Sequence, residues 1–205
     1  MKLEWEYMLA MALVSLLSFL GWQKGLVSDI HTLYALGGVI ITLMVIIAFR
    51  IEFSRMNVGN FAMQNAILMI CIGFPALIRP TQRLLGVPHP YAVFVGTASE
   101  EIFRIAAFIM VVSAFRMPNF AIFTSGIVFA AMHLYWYPTE WLSAIIVGVL
   151  FSIFLAYYGS PTSCMFSHFI YDMYAFGYIS ALVYLIILFI NLILGIALTN
   201  KKVEI

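Results

Sequence analysis

Three charges interrupt an apolar run that extends from about Tyr91 to Phe115: Glu100, Glu101 and Arg104, in the stretch Ser99-Glu100-Glu101-Ile102-Phe103-Arg104. A charged side chain at bilayer depth costs roughly 2.5–3.5 kcal/mol on insertion scales, so a chain that keeps such residues there uses or neutralises them. On a helix Glu100 and Arg104 are four residues apart and Glu101 and Arg104 three apart, so both carboxylates can reach the guanidinium across one turn. Neutralising one leaves the other to hold a proton or activate water. Three more polar residues lie in apolar runs: His133, His168 and Asp172, the last two sharing a helix face. Two glutamates, two imidazoles and an aspartate in a dry pocket suit activation of water by a glutamate acting as general base. A metal held on His133 and His168 with a carboxylate is the other route, since two nitrogens and one oxygen make a known catalytic zinc set. The expectation is that no cofactor is required, with a divalent metal such as zinc as the alternative.

These residues need apolar elements to place them, and the composition supplies little else. Of 205 residues 64% are hydrophobic and 9% charged, against roughly a quarter charged in soluble domains, so an integral membrane protein is expected. A net charge of +1 without a basic cluster argues against nucleic acid as a partner. Cys71 and Cys164 fall in separate apolar runs and read as small hydrophobes, not as a disulfide or thiolate site. The N-terminal run is expected to be a retained first span, because Glu4 and Glu6 follow Lys2 and no small-residue cleavage pattern ends it.

Apolar runs close to the length of about 20 residues needed for crossing recur along the chain. They cover about Tyr7 to Trp22, Leu33 to Phe49, Phe61 to Ile78, the Tyr91 to Phe115 run, Phe120 to Tyr137 and Leu142 to Tyr158. The stretch from Cys164 to Thr199 is too long for one span and is expected to break near Gly177. The fold class is therefore all-α: a polytopic membrane bundle of about eight transmembrane helices around a buried polar site, in a single domain over 1–205 whose motif-bearing core is about 91–180. The prolines of Arg79-Pro80 to Pro88-His89-Pro90 mark a loop. Tyr135-Trp136-Tyr137-Pro138-Thr139-Glu140-Trp141 reads as an aromatic interfacial belt, with Glu140 an interfacial charge. His31 and His89 fall in expected loops and receive no role. Glu100, His133 and His168 each lie within about five residues of the middle of their run, which at about 1.5 Å per residue puts them in one layer. Even-numbered crossing places both termini on one side, with Lys2, Arg50, Arg55, Arg116, Lys201 and Lys202, so the termini are expected to be cytoplasmic.

Phe129-Ala130-Ala131-Met132-His133 fits a Phe-x-x-x-His motif, and His168-Phe169-Ile170-Tyr171-Asp172 fits His-x-x-x-Asn/Asp. With the upstream Glu-Glu-Arg helix this resembles the CPBP (Abi) family, which includes the type II CAAX prenyl endopeptidases; order and spacing agree over roughly a third of the chain. The first motif, usually Glu-Glu-x-x-x-Arg, is one residue shorter here and in that respect is similar to the PrsW-type proteases. The resemblance implies a multi-span fold in which Glu100 or Glu101 and His133 activate water while His168 and Asp172 steady the oxyanion. An ionised Asp172 accepts hydrogen bonds only, so it either donates when protonated or orients His168. Phe129 is expected to pack so as to fix the His133 ring.

The leading expectation is an intramembrane peptidase hydrolysing a peptide bond at or near the bilayer, with Glu100, Glu101, Arg104, His133, His168 and Asp172 as its site. Its partners would be membrane lipid and a peptide or membrane-protein substrate, prenylated or not. The rival classes are a proton-coupled carrier using the same buried charges as a relay, and a catalytically idle scaffold; the lack of an inverted repeat argues against the carrier.

Overall fold

The computed structural model describes residues 2–78, 89–134 and 141–199. Within them are eight α-helices and two short strands: β1 Lys2–Glu4, α1 Trp5–Gln23, α2 Asp29–Phe49, β2 Glu52–Ser54, α3 Val58–Ile78, α4 Pro90–Phe115, α5 Pro118–His133, α6 Trp141–Tyr158, α7 Pro161–Ala175 and α8 Ala181–Thr199. Each expected apolar run is a helix, and the last stretch breaks around Gly177, which takes φ +80°. Three prolines sit where a missing N–H costs nothing: Pro90, Pro118 and Pro161 open α4, α5 and α7. The loop expected over 79–88, the aromatic exit 135–140 with Glu140, and Lys201–Lys202 lie outside the described residues.

Four helices, α1, α2, α6 and α8, are long and apolar enough to cross a membrane by themselves. The other four differ from a simple span for identifiable reasons. The 26-residue α4 carries the three charges, α5 and α7 have 16 and 15 residues, and α3 carries Asn60, Gln64 and Asn65 in its first turns. Along α8 the side chains of Leu182, Ile186, Phe189, Ile190 and Ile193 point outward and exposed, as expected of a surface solvated by lipid tails.

The strands were not foreseen. They pair in parallel with Lys2 opposite Glu52 and Glu4 opposite Ser54, tying the start of the chain to the α2–α3 connection. Lys2 Nζ lies 3.0 Å from Glu52 Oε2 on the exposed side. Glu4 turns inward and accepts from the Thr162 amide, in the first turn of α7, at 3.3 Å. Gly59 near the start of α3 meets Thr199 at the end of α8, so Glu4, Thr162, Gly59 and Thr199 define one end of the bundle.

At the other end, Gly21 of α1 packs on Tyr91 of α4, whose hydroxyl donates to the Leu17 carbonyl. Between α1 and α2 the chain turns through Gly25 at φ +67° and buries Val27. Ser28 then caps α2 by accepting from the His31 amide at 3.3 Å. α2 thus begins four residues earlier than the apolar run suggests, and His31 lies in its first turn.

α4 stands at the centre, against α1, α2, α5 and α7. Its contact with α2 is close because Gly38 has no side chain: a Cβ there would fall 2.7 Å from Ile102 Cγ2 and 3.0 Å from the Ile102 carbonyl. The main apolar core gathers Tyr7, Met11, Leu68, Ile102, Ile105, Phe108, Phe151 and Cys164 around this helix. A buried amide network fixes α7 against α3 and α8. Asn65 Oδ1 accepts from Ser163 and Ser167, both at 2.7 Å, and its Nδ2 donates to Asn191 Oδ1 at 3.4 Å.

Candidate active site

Because consecutive residues on a helix are turned by about 100°, Glu100 and Glu101 leave α4 in different directions. They found two adjoining clusters.

The Glu101 cluster is fully buried. Arg104 grips Glu101 with two donors: Nη2 donates to Oε2 at 2.6 Å and Nε lies 3.1 Å from each oxygen. The remaining side of the guanidinium is also held. Nη1 donates to Ser152 Oγ of α6 at 2.9 Å and to Ser125 Oγ of α5 at 3.4 Å, and the Phe151 ring lies beneath it. Ser125 in turn donates to the Arg104 carbonyl at 3.2 Å. Of the two pairings open to Arg104, the three-residue spacing is the one realised, so Glu101 is the neutralised carboxylate.

His168 of α7 completes this half. Its Nδ1 faces Glu101 Oε1 at 3.2 Å, its Nε2 faces Asp172 Oδ2 at 3.6 Å, and its ring packs between Phe129 and Phe151. Asp172 Oδ2 accepts from Thr97 Oγ1 at 2.5 Å. Asp172 Oδ2 therefore lies between Thr97 and His168.

The Glu100 cluster opens toward the surface, with the Glu100 side chain 13% exposed against 0% for Glu101. Two imidazoles address its two oxygens. His133 Nε2 lies 3.7 Å from Oε2, and His31 Nε2 lies 3.4 Å from Oε1. His133 Nδ1 is 2.8 Å from the Phe129 carbonyl, one turn back on α5, and the Phe129 ring packs on the His133 ring with centroids 4.4 Å apart. A carbonyl only accepts, so Nδ1 carries the hydrogen and Nε2 of the neutral ring turns a lone pair toward Glu100.

All six residues singled out in the sequence therefore meet around α4, in two groups: Glu100 with His133, and Glu101 with Arg104, His168 and Asp172. The shared layer is corrected in one respect. His133 is the last residue of α5 and His31 lies in the first turn of α2, so the Glu100 cluster sits toward one end of the bundle. His133 and His168 address different carboxylates, and among the described residues no group of three His, Cys, Asp or Glu side chains is arranged to hold a metal ion.

Four contributors were not foreseen: His31, Thr97, Ser125 and Ser152. For His31 a signal existed, because Ser28-Asp29 is a helix start with a hydroxyl cap and an acid in the first turn, and reading it would have moved His31 onto α2. Thr97 lies one turn before Glu101 and could have been placed on its face. Nothing in their local sequence distinguishes Ser125 and Ser152 from other small residues in apolar helices.

The fold and this site define a polytopic helical membrane protein with a paired acid–histidine centre set inward from one end. Residues 81–174 match the family model for type II CAAX prenyl endopeptidase Rce1-like proteins. This segment contains all six residues identified in the sequence, while His31 lies outside it. No curated protein and no solved structure matches the chain.

Proposed function

We propose that this protein is an intramembrane endopeptidase in which Glu100 and His133 activate water together. The observation that carries the reading is the pair formed by Glu100 Oε2 and the His133 Nε2 lone pair, 3.7 Å apart. Two acceptors facing one another suit a water that donates one O–H to each. In the reaction, the water oxygen attacks the scissile carbonyl as one proton passes to Glu100. The tetrahedral adduct expels the amine, which takes that proton, and the C–N bond breaks to leave an acid and an amine. His168, with hydrogens on both ring nitrogens, keeps Nδ1–H on Glu101 and offers Nε2–H, beside Asp172, to the oxyanion. Arg104 takes no part in the chemistry; it keeps Glu101 ionised and the His168 ring fixed. No step uses a metal.

The carrier reading fares worse. Arg104 is held by Ser125 and Ser152 and packed on Phe151, which immobilises charge instead of passing it on.

The substrate class is a peptide presented at the membrane. Lys2, Arg50 and Arg55 lie at the end of the bundle that carries the strands, so by the positive-inside tendency this end is cytoplasmic and the Glu100 cluster faces the other compartment. A topology reporter fused to the amino terminus checks that orientation. The activity test uses protein in nanodiscs, open to both faces, with a farnesylated CAAX peptide and the same peptide unprenylated, and measures release of the C-terminal tripeptide. Glu100→Gln and His133→Ala should each lower the rate by roughly 10²–10⁴. Cleavage that survives Glu100→Gln refutes the mechanism.

A further inference from the structure

We propose that His31 is a positioning residue for this centre: its Nε2–H pins Glu100 Oε1 and so leaves Oε2 as the single basic oxygen facing His133. The inference rests on the hydrolytic reading above and adds a third imidazole, from a helix outside the Rce1-like segment.

The hydrogen-bond geometry fixes the tautomer. Ser28 Oγ accepts from the His31 amide at 3.3 Å, so its one hydroxyl hydrogen is available to His31 Nδ1, 3.0 Å away. Nδ1 then accepts, and the ring hydrogen is on Nε2, which faces Glu100 Oε1 at 3.4 Å. A carboxylate cannot donate, so for a neutral ring this is the assignment in which both of these contacts have one donor and one acceptor. The two rings that flank Glu100 are therefore in opposite tautomers. His31 presents N–H to one oxygen and His133 presents a lone pair toward the other.

The backbone makes room for the arrangement. Gly96, one turn before Glu100 on α4, lies under the His31 ring; a Cβ there would come 3.3 Å from Cε1 and 3.4 Å from Nε2. Tyr34, one turn along α2, sets its ring edge toward His31 and packs on Phe103 of α4. The ring is thus held by a cap at one nitrogen, a glycine beneath and an aromatic beside it. Pinning one oxygen fixes the Glu100 side chain, whose loss of register by about 1 Å would be expected to cost roughly 10²-fold in rate.

The test compares His31→Leu, which removes the donor, with His31→Gln, whose side-chain NH₂ falls near the position of Nε2. With the farnesylated CAAX peptide in nanodiscs, His31→Leu should lower kcat roughly 10- to 100-fold with little change in KM, and His31→Gln should recover most of the loss. A His31→Leu rate equal to the parent's, or a His31→Gln rate as low as that of His31→Leu, overturns the proposal. A second measurement needs no turnover: ring ¹⁵N and ¹³C shifts of the four histidines, with His31 identified by the signals that vanish in His31→Gln. His31 should report the Nε2–H tautomer and His133 the Nδ1–H tautomer; an Nδ1–H tautomer at His31 overturns the proposal. If Glu100→Gln still cleaves, the hydrolytic mechanism fails, and the ring shifts decide separately whether His31 donates to Glu100.

Discussion

Replacing Arg104 with methionine removes the guanidinium and leaves its partner buried. Glu101 has no solvent exposure, and of its contacts only His168 Nδ1 at 3.2 Å would remain. Removing one member of a buried ion pair costs about 3–5 kcal/mol, most of it the penalty of the stranded charge. The serines add little to this, because Ser152 can donate to the Gly148 carbonyl and Ser125 to the Arg104 carbonyl whatever side chain stands at 104. For a chain of this length the cost corresponds to a fall in unfolding midpoint of roughly 6–20 °C. Cys164 supplies the assay: it is fully buried, and its sulfur lies 3.3 Å from Gln64 Nε2 beside the same core. With the exposed Cys71 changed to alanine, a thiol-reactive dye reports exposure of Cys164 as detergent-solubilised protein is heated. Arg104→Met should lower the midpoint by the stated amount. The double variant Glu101→Leu/Arg104→Met, which removes both charges, should recover most of it while remaining inactive, because His168 has lost the partner of Nδ1. An unchanged midpoint in the single variant, or a double variant as unstable as the single, would show that Glu101 is not a stranded charge and refute the reasoning.

Asn65→Ala strips the acceptor shared by Ser163 and Ser167 and should cost about 1–3 kcal/mol by the same dye assay, with a loss of activity as α7 and its His168 shift. Gly38→Val drives a side chain into the Ile102 backbone; a cost of about 1–3 kcal/mol is expected, together with perturbed His31 ring shifts, since the same α2–α4 interface carries His31 against Glu100. Burial lifts the Glu4 carboxyl above its ordinary range, against the opposing hydrogen bonds from Thr162 and Ser160. A raised folded-state value means that the stability linked to protonated Glu4 is present below the unfolded-state value and lost as pH rises through the folded one. Glu4→Gln, which stays neutral, should therefore be more stable than the parent near pH 7 and equal to it below about pH 4. A constant difference across that range would contradict the burial effect.

The helices were legible because each apolar run must bury its own backbone hydrogen bonds, and several breaks fell at Pro118, Pro161 or the positive-φ glycines Gly25, Gly159 and Gly177. The parallel strands were not, since three residues carry no readable period and the pairing joins positions fifty residues apart. At the site, residue types and order identified which side chains meet around α4. The partition between them was hidden, because Arg104 could have taken either glutamate and only the serines of α5 and α6 fix it against Glu101. His133 was placed mid-run, whereas it is the last residue of α5, and His31 was overlooked because its hydrophobic run begins two residues later, at Leu33.

Two faces of α4, one residue out of phase, divide the labour of the protein. Gly96, Glu100 and Phe103 look toward α2, while Thr97, Glu101 and Arg104 look toward α5, α6 and α7. Inserting or deleting a single amino acid between 96 and 104 would rotate part of one ridge into the place of the other, presenting the arginine-bound acid where Glu100 belongs. The helix therefore tolerates exchange of its lipid-facing side chains far better than any change in its length.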